Sequence, residues 1–408
     1  MDFFNTKSIE EVYEEIDKRV DNYNIDSEEI MLIDAIGRIS AEEVKSREIV
    51  PSFTRSTVDG YAVSCKDTFG ASSTIPSMLS IVERIDMGEA PKREIKSGEA
   101  SYIPTGGMLP KGADSVVMIE NAEELDDQTI MIYKAVSDGS NILRRGDDIS
   151  ENSILIEKGK AITAYDIGVL ASQGIEKIRV FRKLKFTIIS TGDEIVDIDD
   201  DIKSGQIRDI NSYVIASDLI NMNHEVVDRL IIKDEYEKLR EAVKKGIDNS
   251  DMVLISGGSS VGTKDYTSDV INELGKDGVF VHGISIKPGK PTIIGEAKDK
   301  FVFGLPGHPA SSIIIYNIVV KSSIRKVLGM EEKEKFAYCK LDSNFPSSSG
   351  KTTYQMVKVY EKKGELYAKP VFGKSGMISL ISKADGYIKI DSDEEGIYEG
   401  AVRKVIYI

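Results

Sequence analysis

The stretch MVLISGGSSVGTKDYT, Met252 to Thr267, begins as an apolar strand and then sheds its side chains. Ser256, Gly257, Gly258, Ser259, Ser260 and Gly262 follow Ile255, with Lys264 and Asp265 beside them. Two other stretches end alike: IISTGDE, Ile188 to Glu194, and VFGLPGHP, Val302 to Pro309. Between Leu184 and Leu328 such strands alternate with helical segments, among them SYVIASDLINMN, DEYEKLREAVKKGI and PASSIIIYNIVVKSSIRKVLG. That alternation predicts a mostly parallel α/β sheet with helices on both faces. Carboxyl ends of parallel strands share one edge, and ligands bind in the crevice there. Three loops of small residues along that edge make a polar seat of backbone N–H groups and hydroxyls. Helices starting at Asp265 and Pro309 add attraction for an anion. A phosphate-like group is the expected occupant.

The loop chemistry narrows the ligand. Gly257 to Lys264 approaches GxxxxGK[ST], but Thr263 precedes Lys264 and no hydroxyl follows it, so the phosphate loop of a nucleoside triphosphatase is not formed. No GxGxxG dinucleotide fingerprint is present there either. IKPGKPT places Lys287 and Lys290 around the Pro288-Gly289 turn, where two ammonium groups could meet an anion. RRGDDIS offers Arg145 to an oxyanion and Asp148 to a hard cation, although taken alone it reads as a surface turn. Asp59-Gly60, in PSFTRSTVDGYAV, is a turn with a carboxylate at its tip.

At 408 residues the chain is too long for a single core. Ile9, Val12, Tyr13, Ile16 and Val20 repeat at helical spacing, with Ser8 and Glu11 as a capping box. Short β-type runs then occupy about residues 49–148, so a β-rich lobe is inserted in a helical N-terminal region, 1–182. The α/β domain covers 183–330, and a small β-barrel domain, 331–408, ends the chain. The net charge of −15, from 53 basic and 68 acidic residues, disfavours a nucleic-acid partner. Two cysteines and three scattered histidines supply neither a zinc site nor a disulfide framework, which fits a reducing cytoplasm. The acidic first helix is no secretion signal, and no apolar run is long enough for a bilayer.

STVDGYAV, PTGGMLPKGADSVVMIE, RRGDDIS, STGDEIV, SGGSSVGTKDYT, KPGKP and GLPGHPASS occur in that order. Together they resemble the molybdopterin molybdenumtransferases, the MoeA molybdenum insertases, over nearly the whole chain. The resemblance implies an enzyme that uses molybdate and adenylylated molybdopterin, releases AMP and is assisted by Mg2+. It also implies a homodimer, with transient contact to a molybdopterin adenylyltransferase and to molybdoenzyme apoproteins. Carried over by position, Ser256, Gly257, Gly258, Ser259, Ser260, Gly262 and Tyr266 hold the ligand. Thr191, Gly192 and Asp193 join them from the neighbouring loop, and Pro288, Gly289, Pro306, Gly307, Pro309 and Ser375 complete the rim. Asp59, Asp148, Glu194, Asp234, Asp265, Lys287 and Lys290 are the implied catalytic set, with Asp59, Glu194 and Asp265 toward the metal. Asp59, Thr105, Arg145 and Asp148 are expected to face the pocket from the partner chain. Two alternatives are the preceding adenylylation enzyme, which uses a related α/β domain, and a scaffold that kept the fold without the chemistry. His308 stands where the family often has Asn, and Gln355-Met356 where many members carry an arginine.

Overall fold

The computed structural model describes residues 6–257, 266–331, 334–347 and 350–408. The chain divides into two compact units, Met1–Glu42 with Lys158–Thr163 and Lys177–Ile408, and Glu43–Glu157 with Ala164–Glu176.

In the first unit, helix Ile9–Val20 starts at the capping box and buries Ile9, Val12 and Ile16. Strand Ser27–Met31 pairs antiparallel with Lys177–Phe181. The central sheet contains β1 (Lys185–Thr191), β2 (Glu225–Ile232), β3 (Met252–Ser256), β4 (Gly278–His282), β5 (Ile293–Ala297) and β6 (Lys300–Leu305). Their order is β2-β1-β3-β6-β5-β4. Strands β2, β1, β3 and β6 are parallel, while β5 runs antiparallel to both β6 and β4.

Both faces of the sheet are apolar because both are covered. Alternate residues of a strand point to opposite sides: Ile188, Leu254 and Phe303 join one cluster with Ile215, Leu219 and Ile314, whereas Ile189, Val253 and Val302 join another with Leu239, Val243 and Ile271. Burying each such side chain stabilises the fold by about 1.5–3 kcal/mol.

Strand β5 was not expected from the sequence. It follows the lysine turn directly and is folded back onto β6 through Lys298 and Asp299, whose φ angles of 52° and 59° are those of a two-residue hairpin turn.

The C-terminal part is a closed barrel of β7 (Phe336–Leu341), β8 (Thr352–Lys362), β9 (Glu365–Pro370), β10 (Gly386–Ile390) and β11 (Val402–Tyr407). The order β8-β9-β7-β11-β10 returns to β8 through the β8–β10 pairing. Cys339, Leu341, Val357, Ile388 and Val405 fill it. Ile286–Lys287 adds to β8 in parallel, so the lysine turn leaves directly from the barrel wall.

The second unit is a six-stranded sheet in the order Ser115–Met118, Gly60–Val63, Glu99–Ile103, Ser77–Arg84, Thr129–Ile132, Ala122–Asp126. Tyr61, Leu79, Val117 and Ile130 pack in one core, and Ala62, Ile85, Ile103 and Val116 in another. Its helix Ala164–Ser172 buries only Leu170. Among the described residues, no helix is long and apolar enough to cross a membrane.

Candidate active site

The four parallel strands finish level with one another. Thr191 is registered against Ile232, Ser190 against Ser256, and Ser256 against Leu305. Just beyond this row the backbones converge. Gly257 has φ 107°, and a Cβ built there would lie 2.2 Å from Thr191 O. A Cβ at Gly307 would sit 3.6 Å from the Gly257 Cα. Only glycine tolerates both the conformation and the close approach at position 257. At this edge the Gly257 backbone closes on the Thr191 carbonyl and lies beside Gly307. Gly258, Ser259, Ser260, Gly262 and Asp265 lie outside the described residues.

Two residues that the sequence reading passed over support this edge. Asp209 is buried and accepts from Ser190 Oγ (2.8 Å), from the Ser212 hydroxyl and from Ser212 N (3.2 Å). Arg229 of β2 stands 3.7 Å from it. Asn211, two residues on, donates to Ser256 Oγ and to Gly307 O, each at 2.8 Å. The segment also fixes the acidic loop, since Ile207 N donates to Glu194 O (2.8 Å) and Asp209 N to Val196 O (2.9 Å).

Acids gather on the β1–β2 side. Asp234 follows β2, and its carboxyl is pushed above the usual range, first by burial, then by the charges of Asp193 and Glu194. The Glu194 carboxylate folds over Gly192, where a Cβ would be 2.9 Å from its Oε2. Among the described residues no group of three or more His, Cys, Asp or Glu is arranged to hold a metal ion. Mg2+ commonly takes one or two carboxylates and completes its shell with ligand phosphates and water, a demand these acids can meet.

The lysine turn packs on the last residue of helix Pro309–Ile315, and the rim gathers at its first. The Lys287–Pro288 bond is cis, and Gly289, at φ 115°, packs so closely that a Cβ would lie 2.6 Å from Ile315 Cδ1. Lys287 and Lys290 are exposed. From the barrel side, Ser375 O accepts from Ala310 N (3.0 Å), and its Oγ lies 3.1 Å from His308 Nδ1. Tyr266 opens helix Tyr266–Leu274 and packs edge-on against Tyr236.

Three family models match in chain order. They are the MoeA N-terminal region (domain I and II) over residues 7–174, the "Probable molybdopterin binding domain" over 187–326, and the MoeA C-terminal region (domain IV) over 338–408. A Methanocaldococcus jannaschii chain that carries a molybdopterin-biosynthesis name is 37% identical over 95% of this chain and 94% of its own. The chain belongs to the MoeA family. The Haemophilus influenzae molybdopterin molybdenumtransferase is 31% identical, with 92% of each chain covered. A solved MoeA protein of molybdopterin biosynthesis from Pyrococcus horikoshii superposes with a TM-score of 0.79 at 36% identity, covering 99% of each chain.

The remaining MoeA positions lie in the second unit. Asp59 Oδ1 accepts from Thr105 N at 2.7 Å, so these two share one corner of the lobe. Arg145 N donates to Thr54 Oγ1 (3.3 Å) and Asp148 N to Val50 O (3.1 Å). A cleft of about 1200 Å³ lies elsewhere, between helix Ile9–Val20, the helix after Pro309 and the barrel, lined by Tyr13, Tyr354, Tyr387 and Lys389. Its charges are largely paired within it, as Lys389–Glu10 (3.1 Å) and Arg403–Glu394 (2.6 Å). The strand edge, where Asp193 and Glu194 crowd Asp234, is the candidate site.

Proposed function

We propose that this MoeA-family chain is a molybdenum insertase: it transfers molybdenum from molybdate to adenylylated molybdopterin and releases AMP, giving the molybdenum cofactor. The match along 95% of the chain to a molybdopterin-biosynthesis relative supports the reading. The observation that carries it is the level row of parallel strand ends, closed over by backbone at Gly257 and Gly307, where a phosphorylated ligand meets amides and hydroxyls. Hydrolysis of the phosphoanhydride needs a water to add to phosphorus as AMP leaves, with its proton passing to a carboxylate. Asp234, whose proton affinity is raised, suits that last role.

Lys287 and Lys290 are assigned to the oxometalate and phosphate charge. Glu194, Asp59 and Asp265 are assigned to Mg2+, which would neutralise the phosphates when bound. Thr191, Gly192, Asp193, Ser256, Gly257, Gly258, Ser259, Ser260, Gly262 and Tyr266 hold pterin and phosphate. Pro288, Gly289, Pro306, Gly307, Pro309 and Ser375 shape the rim. Asp59, Thr105, Arg145 and Asp148 would come from a second copy in a homodimer. The helix Ala164–Ser172, with Tyr165 88% exposed, presents an apolar face that such a copy would cover. A cytoplasmic setting fits the two free cysteines.

The adenylylation reading accounts for an α/β domain alone, whereas MoeA regions flank it here on both sides. The two reactions separate in one experiment. The chain is given either molybdopterin with ATP, or adenylylated molybdopterin with molybdate and Mg2+. Insertion is expected only from the second mixture; adenylylation in the first would overturn the proposal.

A further inference from the structure

Asn211 lies at the start of helix Asn211–Asn221 and is 7% exposed. Its amide nitrogen carries two hydrogens. One goes to Gly307 O and the other to Ser256 Oγ, each over 2.8 Å. A carbonyl can only accept, so the nitrogen rather than the oxygen must face Gly307. The same nitrogen then makes Ser256 Oγ an acceptor. The Ser256 hydroxyl hydrogen is left with no acceptor among the described residues, although Ser256 is 3% exposed. A buried hydroxyl hydrogen is costly to leave unused, and Ser256 is the last residue of β3, directly before Gly257.

We propose that Asn211 is a positioning residue of the ligand seat: it sets the separation of Ser256 from Gly307 and leaves the Ser256 hydroxyl free to donate to a phosphate oxygen of the ligand. Asn211 touches no reacting atom. It acts through Ser256 on β3 and Gly307 after β6, while Asp209 holds β1 through Ser190 and faces Arg229 of β2. The four residues Asp209 to Ser212 thereby reach the ends of β1, β3 and β6 and meet β2 at Arg229. This inference rests on the function proposed above.

The test is calorimetric titration of the full chain with adenylylated molybdopterin, and separately with molybdate. The proteins are the unmodified chain, Asn211→Asp, Ser256→Ala and the double variant. Aspartate has the shape of asparagine, lacks the donor and would capture the Ser256 hydrogen for itself. Each single change is expected to weaken binding of the adenylylated pterin about tenfold, the worth of one hydrogen bond. The double variant is expected to be no weaker than the weaker single, with molybdate affinity changed less than about twofold. Asn211→Ala, with a melting curve, serves if the aspartate variant fails to fold. Unmodified affinity in the position-211 variants would overturn the proposal. So would a double variant weakened by the product of the single effects, or equal loss for both ligands. No binding by the unmodified chain would overturn the function reading, and this inference with it.

Discussion

Gly257→Ala tests the strand edge where its geometry is tightest. The added Cβ would stand 2.2 Å from Thr191 O, against 3.4 Å at the near end of ordinary contact. The ends of β1 and β3 must therefore part by about 1.2 Å, the difference of those two figures. These strands are hydrogen-bonded up to Ser190 and Ser256 and packed on both faces, so the movement cannot be absorbed locally. The φ of 107° adds backbone strain of about 1–3 kcal/mol for an L side chain. A shift near 1 Å at reacting groups costs about a hundredfold in rate. The expectation is a fall of about a hundredfold in kcat/KM for AMP release, with a lowered melting temperature. A Gly257→Ala protein within threefold of the unmodified rate, melting unchanged, would show that β1 and β3 are not held this closely.

Lys287→Ala should leave the melting temperature nearly unchanged, because the side chain is exposed, while raising the KM for molybdate about tenfold or more; an unchanged KM removes Lys287 from the oxyanion site. His224 is buried beside Phe186, and burial, reinforced by the Arg38 charge, lowers its pKa from 6.5 to about 4. The unfolded chain therefore takes the proton first: stability is intact above pH 6.5, declines as pH falls from there, and stops declining below about pH 4, with a total loss near 3 kcal/mol. Denaturant titrations across that window should show the slope, and His224→Leu should flatten it; an equal slope in both proteins assigns it elsewhere. Light scattering should give twice the 45.0 kDa of one chain, whereas a persistent monomer would leave Asp59, Thr105, Arg145 and Asp148 without the role assigned to them.

The glycine turn that follows β3 was legible because its signal is compositional. Ser-Gly and Pro-Gly runs after apolar strands say where side chains are scarce, and Gly257 is excluded from bearing one by its φ of 107° and its contact with the Thr191 carbonyl. The barrel was legible from period-two alternation, as in Phe336–Leu341, which buries Cys339 and Leu341 and turns Phe336 and Tyr338 outward. What escaped notice depends on contacts distant in sequence. Strand β5 is short and begins two residues after Pro291, so only its pairings with β4 and β6 distinguish it from more loop. Ser27–Met31 finds its partner at Lys177–Phe181, far along the chain. Asp209 and Asn211 form no motif of their own: their meaning lies in Ser190, 19 residues earlier, and Gly307, 96 residues later.

A single-turnover reaction on the unmodified protein addresses the central claim most directly. Adenylylated molybdopterin, molybdate and Mg2+ are mixed with the chain, and AMP and pterin-bound molybdenum are counted together. One AMP for each molybdenum gained by the pterin is the expected result. AMP release without metal on the pterin, or no AMP at all, would contradict it.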